Sequence, residues 1–209
     1  MLFRSRADSG IRGIKDLAGR SIAYSSGGSS GHIALLSLLA ENNIQARPVA
    51  TGGMPGTLTQ VMSKQIDVGW SAPPFGLDQA QRGEIVIIAR GNDVEQVKQQ
   101  TVRVTIANAD SLKNKRADIT RLMEMMVRAI DWSYQSDRAL DHYAEFANVS
   151  RETARRTRDE FYPRSAFHFD EVRGLDAMLK DALEYKYIST PTAQAQLAGL
   201  IDILYRPSK

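Results

Sequence analysis

The chain has 209 residues, 43% of them hydrophobic and 24% charged, with a formal net charge of +3. That composition is globular, and it excludes a disordered, collagen-like or membrane-embedded chain. There is no cysteine, so disulfides, thiolate metal sites and cysteine nucleophiles are all ruled out.

The opening stretch, Met1 to Gly10, carries arginines with no apolar run after them, and no signal peptide is expected in it. Ser21-Ile22-Ala23-Tyr24 reads as a strand. Ile33, Leu35, Leu36, Leu38 and Leu39 follow as a helix that is apolar nearly all round, and therefore well buried. The longest greasy stretch, Ile33 to Ala40, falls far short of the ~20 residues a membrane span needs. Arg47-Pro48-Val49-Ala50 is a weaker strand whose proline points to an edge or a strand start. Leu58, Val61 and Met62 mark a helix, Ile66 to Trp70 a third strand ended by Pro73-Pro74, Phe75 to Gln81 a short helix, and Ile85 to Ala89 a strongly apolar strand. Alternation of this kind predicts a mainly parallel sheet covered on both faces.

The pattern then changes. The segment from Gly91 to Val102 is polar and marks a lobe boundary. Val102, Val104 and Ile106 alternate with Arg103 and Thr105, which predicts a half-exposed strand over 101–107. Helical spacing follows at Ile119, Leu122, Met126 and Ile130, then at Leu140, Tyr143, Ala144 and Ala147. Ser150 is an N-cap for a helix reaching Phe161, and Leu175, Met178, Leu179 and Leu183 mark another. Thr190-Pro191 starts a last helix with the stripe Leu197, Leu200, Ile201 and Leu204. The densest basic stretch, Arg151, Arg155, Arg156 and Arg158, is interrupted by Glu152, Asp159 and Glu160, which reads as a solvated helix face; no nucleic-acid partner is expected.

Three turns could carry chemistry. Ser25-Ser26-Gly27-Gly28-Ser29-Ser30-Gly31-His32 leaves a strand and opens a helix. Small residues let backbone N–H groups approach a ligand, and the helix N-terminus adds unpaired donors and a positive partial charge. The turn suits a carboxylate, sulfonate, phosphate or neutral polar ligand. It has neither the Gly-Lys-Ser/Thr of a P-loop nor the spacing of a dinucleotide fingerprint. Gly52 and Gly53 lie in a second glycine-rich turn on the same sheet edge, where ligands of open α/β sheets bind; a plain flexible turn is the other reading. Trp70 and Ser71 leave the third strand at that edge, and Trp70 either stacks on a ligand or packs in the core. His32 either contacts ligand or is capping-region surface. His142 and Glu145 share a helix face without a third partner, so no metal site is expected. Asp67 and Asp78 form no recognisable acid/base pair, and no nucleophile can be placed beside either; no catalytic residues and no cofactor are assigned.

Ile14-Lys15-Asp16-Leu17-Ala18-Gly19-Arg20-Ser21-Ile22-Ala23 resembles the "DLkGk-x-ia" segment of ABC-transporter periplasmic solute-binding proteins of the nitrate/sulfonate/taurine and NMT1/THI5-like type. Ser29-Ser30-Gly31-His32 is similar to that family's ligand-side turn, and Gln65 to Trp70 to its "G-x-iDvG" strand, with Lys64 standing where glycine is common. The resemblance implies a type II periplasmic-binding fold, with one complete α/β lobe over 17–99 and a partial, helix-rich second lobe made of 1–16 and 100–209. It implies a solute-binding role for a small polar or anionic organic molecule, an ABC permease as partner and a periplasmic location. The ligand-binding residues expected are Ser25, Ser26, Gly27, Ser29, Ser30, His32, Gly52, Gly53, Trp70 and Ser71. The family's opening strands are expected to precede Leu2, which would leave the 101–107 strand with an unpaired edge open to self-association. Two other readings are a ligand-sensing regulatory domain and an enzyme of the thiamine-pyrimidine type; that branch uses a cysteine-rich motif that this chain lacks.

Overall fold

The computed structural model describes residues 1–98, 100–101, 103–193, 196–197 and 199–207. They form two compact units, one of Met1–Gln100 with Lys180–Tyr187, the other of Thr101–Leu179 with Ile188–Lys209. No described helix is long and apolar enough to cross a membrane.

The first unit is a five-stranded sheet with helices. Its elements are β1 (Leu2–Arg6), β2 (Ser21–Tyr24), α1 (Ser30–Glu41), β3 (Arg47–Ala50), α2 (Met54–Met62), β4 (Val68–Ser71), α3 (Leu77–Gln81), β5 (Ile85–Arg90) and α4 (Glu95–Lys98). The strand order is β3-β2-β4-β1-β5. β2 pairs in parallel with β3 and with β4, and β1 runs antiparallel to both its neighbours, β4 and β5. β2 to β5 therefore share one direction, which brings their carboxyl ends to one rim.

The segment 1–16, expected with the second lobe, instead supplies β1, which lies inside this sheet. Its polar letters hide a buried strand. Leu2, Phe3 and Ser5 are buried, and Arg4 is only 3% exposed. Arg4 Nη1 donates to the Phe75 carbonyl at 2.9 Å, and its guanidinium lies 5.8 Å from the centre of the Phe75 ring. Burial lowers its pKa to about 10. Gly76 makes room for it: at a φ of +81°, a Cβ there would stand 1.4 Å from Arg4 Nη1.

Alternation along the strands sorts side chains onto the two faces. Phe3, Ile22 and Val68 share a core with Leu35 and Leu38 of α1, and with Ile11 and Leu17. Ala23, Val61 and Ile66 make a smaller cluster on the α2 side. Gly69 lets α2 come close, since a Cβ on it would meet Val61 Cγ2 at 2.8 Å and Thr57 Cγ2 at 3.1 Å.

At the opposite rim, Ser21 and Asp67 bind each other reciprocally. The Ser21 N–H and hydroxyl donate to Asp67 Oδ2 at 2.8 and 2.7 Å, and the Asp67 N–H donates to Ser21 Oγ at 3.0 Å. Burial pushes the Asp67 carboxyl up, but the Ser21 hydrogen bonds, with the charges of Arg20 and Arg47, outweigh it and hold the group below the usual carboxylate range. Lys64, just before this strand, has a φ of +65°, so the turn keeps the left-handed geometry that glycine would provide.

The second unit is helical among its described residues. α5 (Ala109–Asn114), α6 (Arg116–Gln135), α7 (Asp137–Ala147) and α8 (Arg151–Arg156) follow one another, with α6 against α7 and α7 against α8. Ser150 caps α8 by accepting from the Thr153 N–H at 3.0 Å, and a π turn carries the helix on to Phe161. The basic stretch is ion-paired: Arg151 with Asp141, Arg156 with Glu160, and Arg158 with Asp159. α9 (Leu175–Glu184) leads back into the first unit.

Two further sequence expectations differ from this structure. Residues 103–107 form no strand and Val102 lies outside the described residues; no described strand of that unit offers a ladder, and Val104 and Ile106 are exposed. The expected C-terminal helix is absent from residues 199–207, which are non-helical; 194, 195 and 198 lie outside the described residues. Gly199 disfavours helix at its centre, and Leu200 and Ile201 of the supposed stripe are exposed.

Gly69→Ala is expected to destabilise the protein by about 1–3 kcal/mol through overpacking against Val61 and Thr57, measured by urea unfolding. Asp67→Ala is expected to cost about 1–2 kcal/mol at neutral pH. A carboxyl held below its unfolded pKa stabilises the fold above that value and loses the contribution as pH falls through its folded pKa. Urea titrations of Asp67→Ala and the parent chain should therefore converge in acid, and a gap independent of pH would contradict the assignment.

Candidate functional site

The parallel pairing of β2 with β3 and β4 fixes the site. The turns that leave these three strands emerge at one rim. Two backbone bonds continue the β2–β3 ladder past the strand ends: the Thr51 N–H donates to the Tyr24 carbonyl at 2.9 Å and the Gly52 N–H to the Ser25 carbonyl at 3.0 Å. Ser29 and Gly53 thus lie on the same rim, each as the N-cap of the following helix.

The first turn bends at Gly28, whose φ is +76°. Ser29 is extended and its Oγ accepts from the His32 N–H at 3.2 Å, which opens α1. No acidic residue stands in the first turn of α1, so the positive partial charge there is not offset by the helix's own side chains. Ser26, Gly27, Gly28 and Ser30 are exposed, and Ser25 and Ser29 half-buried. The second turn exposes Gly52 and Gly53, and is braced by a 2.6 Å hydrogen bond between the Thr51 and Thr57 hydroxyls. The third turn is tied to α2 by the Ala72 N–H, which meets Met54 Sδ at 3.2 Å. Met1 closes the rim from β1, its Sδ 3.4 Å from where a Cβ of Gly31 would be.

The expected residues are therefore brought together, with two differences. Trp70 is half-buried and packs against the core, and its Nε1 is buried without a hydrogen-bond partner among the described residues. Ser71 is fully buried, so its hydroxyl does not reach the exposed surface of the rim. Strand alternation places Trp70 on the α1 face with Val68, and Ser71 on the α2 face with Gly69.

His32 is not plain capping surface. Its imidazole stacks on Tyr24, with centroids 4.0 Å apart and planes 12° from parallel. Its Nδ1 is hydrogen-bonded to the Tyr187 hydroxyl. Burial pushes the imidazole pKa down, which favours the neutral ring. Tyr24 and Tyr187 were both missed by the sequence reading. Tyr24 ends β2 right before the glycine-serine turn, and that position is a usable signal. Tyr187 lies 155 residues from His32, a separation no local pattern spans.

Asp67 binds Ser21 at the opposite rim, and Asp78 sits in the first turn of α3. His142 stands beside Trp132, with ring centroids 6.1 Å apart. Among the described residues, His168, Asp170 and Glu171 can bring their ligand atoms within 4.8 Å of one another. All three are exposed, and the Arg173 guanidinium already engages His168 Nε2 at 2.9 Å and the Glu171 carboxylate.

The profile of the family "NMT1/THI5 like" matches residues 1–139. No curated protein sequence matches the chain. The fold is similar to the periplasmic aliphatic sulphonate binding protein SsuA from Escherichia coli, with a TM-score of 0.70 and 14% identity over 100% of this chain and 66% of that one. It is similar to the alkanesulfonate-binding protein SsuA from Xanthomonas axonopodis pv. citri bound to MOPS, with a TM-score of 0.61 and 19% identity over 75% of this chain and 53% of that one. The desulfurization enzyme DSZB also shares the fold, at a TM-score of 0.60 and 16% identity over 93% of this chain. The chain thus spans 66% and 53% of the two binding proteins. An α/β unit of this topology followed by a helical one is the periplasmic-binding type of fold, and with the profile covering well over half of its length, the chain belongs to the NMT1/THI5-like family.

Proposed function

We propose that the chain is the solute-binding component of an ABC importer and holds a small polar or anionic organic molecule at the rim formed by residues 25–32, 51–53 and 70. The observation that carries this reading is the start of α1. Its first two N–H groups, those of Ser30 and Gly31, with the Ser30 side chain exposed beside them and no acid in that first turn, lie on the rim where the glycine turn of β3 also converges. A carboxylate or sulfonate oxygen can accept there from backbone N–H and hydroxyl at once, a geometry in which each charge-assisted bond is stronger than a neutral one. The two sulfonate-binding proteins that share the fold make aliphatic sulfonates natural first probes.

The reading assigns no catalytic step. Asp67, just before β4, is committed to Ser21 at the other rim. It assigns the sheet unit to the ligand-holding lobe and the helical unit, Thr101–Leu179 with Ile188–Lys209, to the second lobe of the type II fold. It places the protein in the periplasm with a permease as partner.

The test is a thermal-shift screen of the chain against small organic anions, aliphatic sulfonates included, followed by titration of any hit. Ser30→Asp separates binding from folding. An acid at the first helical position favours α1, so the melting temperature is expected to hold or rise. The same charge faces an anionic ligand, and its affinity is expected to fall at least about tenfold, the equivalent of ~1.4 kcal/mol. Unchanged affinity in Ser30→Asp would remove the rim from the binding site.

Self-association is part of the proposal. Val104 and Ile106 are 59% and 88% exposed, an apolar pair open to a second copy. Light scattering during size exclusion is expected to show a concentration-dependent dimer that Ile106→Lys abolishes; a monomer at all concentrations would refute it.

A further inference from the structure

The glycine-serine turn is already covered by a side chain of its own protein. A Cβ on Gly28 would lie 3.5 Å from both Cδ1 and Cε1 of Tyr187, so the phenol ring rests over the bare backbone of that residue. The ring meets the His32 imidazole edge-on, with centroids 6.1 Å apart and planes at 61°, while its hydroxyl bonds His32 Nδ1. Tyr24, stacked on the imidazole, fixes its plane. Glycine gives the ring a flat floor, and the imidazole gives the hydroxyl an oriented partner. Either tautomer of His32 serves, because a phenol both donates and accepts.

The segment that delivers this ring is fastened at one end and strained at the other. Asp181 is fully buried, and its carboxylate accepts from the side-chain amides of Gln96 and Gln100. After α9 the chain closes a C-terminal turn in which the Lys186 N–H bonds the Leu183 carbonyl and the Tyr187 N–H bonds the Ala182 carbonyl. Lys186 makes that turn at a φ of +61°, a left-handed conformation that favours glycine over lysine. Tyr187 itself is 36% exposed. Its ring rests on Gly28 and meets His32 edge-on, its hydroxyl bonds His32 Nδ1, and it stands at the end of a turn that gains by relaxing.

We propose that Tyr24, Gly28 and His32 form a phenol-binding subsite on the rim, which Tyr187 fills from within and from which a ligand bearing a hydroxylated aromatic ring displaces it. The inference rests on the ligand-facing role of this rim proposed above and narrows the ligand class. A phenol that also carries an anionic group matches the contacts of Tyr187 and adds the N–H donors of α1, which the tyrosine does not use. That difference supplies the free energy a displacement needs.

The probe is p-cresol, the tyrosine side chain as a free molecule, followed through the His32 ring signals by NMR in the whole chain. In the parent protein Tyr187 competes from the same chain at a high effective concentration. Tyr187→Ala is expected to bind p-cresol saturably and at least about tenfold more tightly than the parent. Toluene, which lacks the hydroxyl, is expected to bind Tyr187→Ala at least about tenfold more weakly than p-cresol does. Adding His32→Ala should erase the preference for p-cresol over toluene. Tyr187→Phe keeps the ring and packing but not the hydrogen bond, so p-cresol should displace it more readily than the parent's tyrosine, and this variant serves if Tyr187→Ala proves unfolded. Equal p-cresol affinity in the parent and in a folded Tyr187 variant, or equal binding of toluene, would overturn the subsite. The probe needs no anion and no importer: binding of a sulfonate without p-cresol defeats this inference alone, and binding of p-cresol without any organic anion defeats the transport reading alone.

Discussion

The reciprocal bonds between Ser21 and Asp67 are the constraint on which the rest of this molecule depends. Only one residue pair, Ile22 with Val68, is matched directly between β2 and β4. The ladder between the two strands is therefore short, and a slip of one residue would exchange the faces of every side chain on β4. A carboxylate that takes two hydrogen bonds from one serine, while its own backbone N–H returns one to that serine's hydroxyl, defines the alignment far more narrowly than backbone pairing over so short an overlap. With it in place, Val68 and Trp70 face α1, Gly69 faces α2, and the turn after β4 reaches the same rim as the turns after β2 and β3.

The functional end of the sheet is built in the opposite way. Where the Asp67 rim satisfies its polar groups internally, the other rim leaves donors and small residues facing outward, and α1 keeps acid out of its first turn. The price of a buried cation is met in the same unit: Arg4, on the interior strand β1, is held by a carbonyl and an aromatic face rather than by a carboxylate among the bonds that define it. Desolvation lowers its pKa without removing its charge near neutrality.

The strands and helices from Ser21 to Ala89 were legible in the sequence because hydrophobic periodicity and glycine turns agree there at every step. β1 was not legible. Arg4 and Arg6 give Leu2–Arg6 the look of a polar leader, and nothing local says that Gly76, far along the chain, leaves a slot for the first guanidinium. The segment 101–107 failed in the other direction: its alternation is that of a strand, but a strand exists only where another edge accepts its hydrogen bonds. The stripe after Pro191 likewise has helical spacing without a described surface to cover it. At the rim, the glycine-serine turn and the glycine pair were readable from their place after strands. Ser71 was not, because a one-residue step along β4 decides which face a side chain takes. The partnership of Tyr24, His32 and Tyr187 depends on tertiary folding and has no sequence signature.

Pro48 has a consequence of its own. β3 is a boundary strand, and the Arg47 and Thr51 N–H groups both point inward, donating to the Arg20 and Tyr24 carbonyls of the β2 side. By the alternation of a parallel ladder, the groups at 48 and 50 point outward. Proline has no N–H, so the outer margin of β3 presents a single amide donor, that of Ala50, to anything alongside. A neighbouring molecule trying to add itself as a sixth strand would find the template broken at its second position, and fibrillar growth from that flank is thereby discouraged.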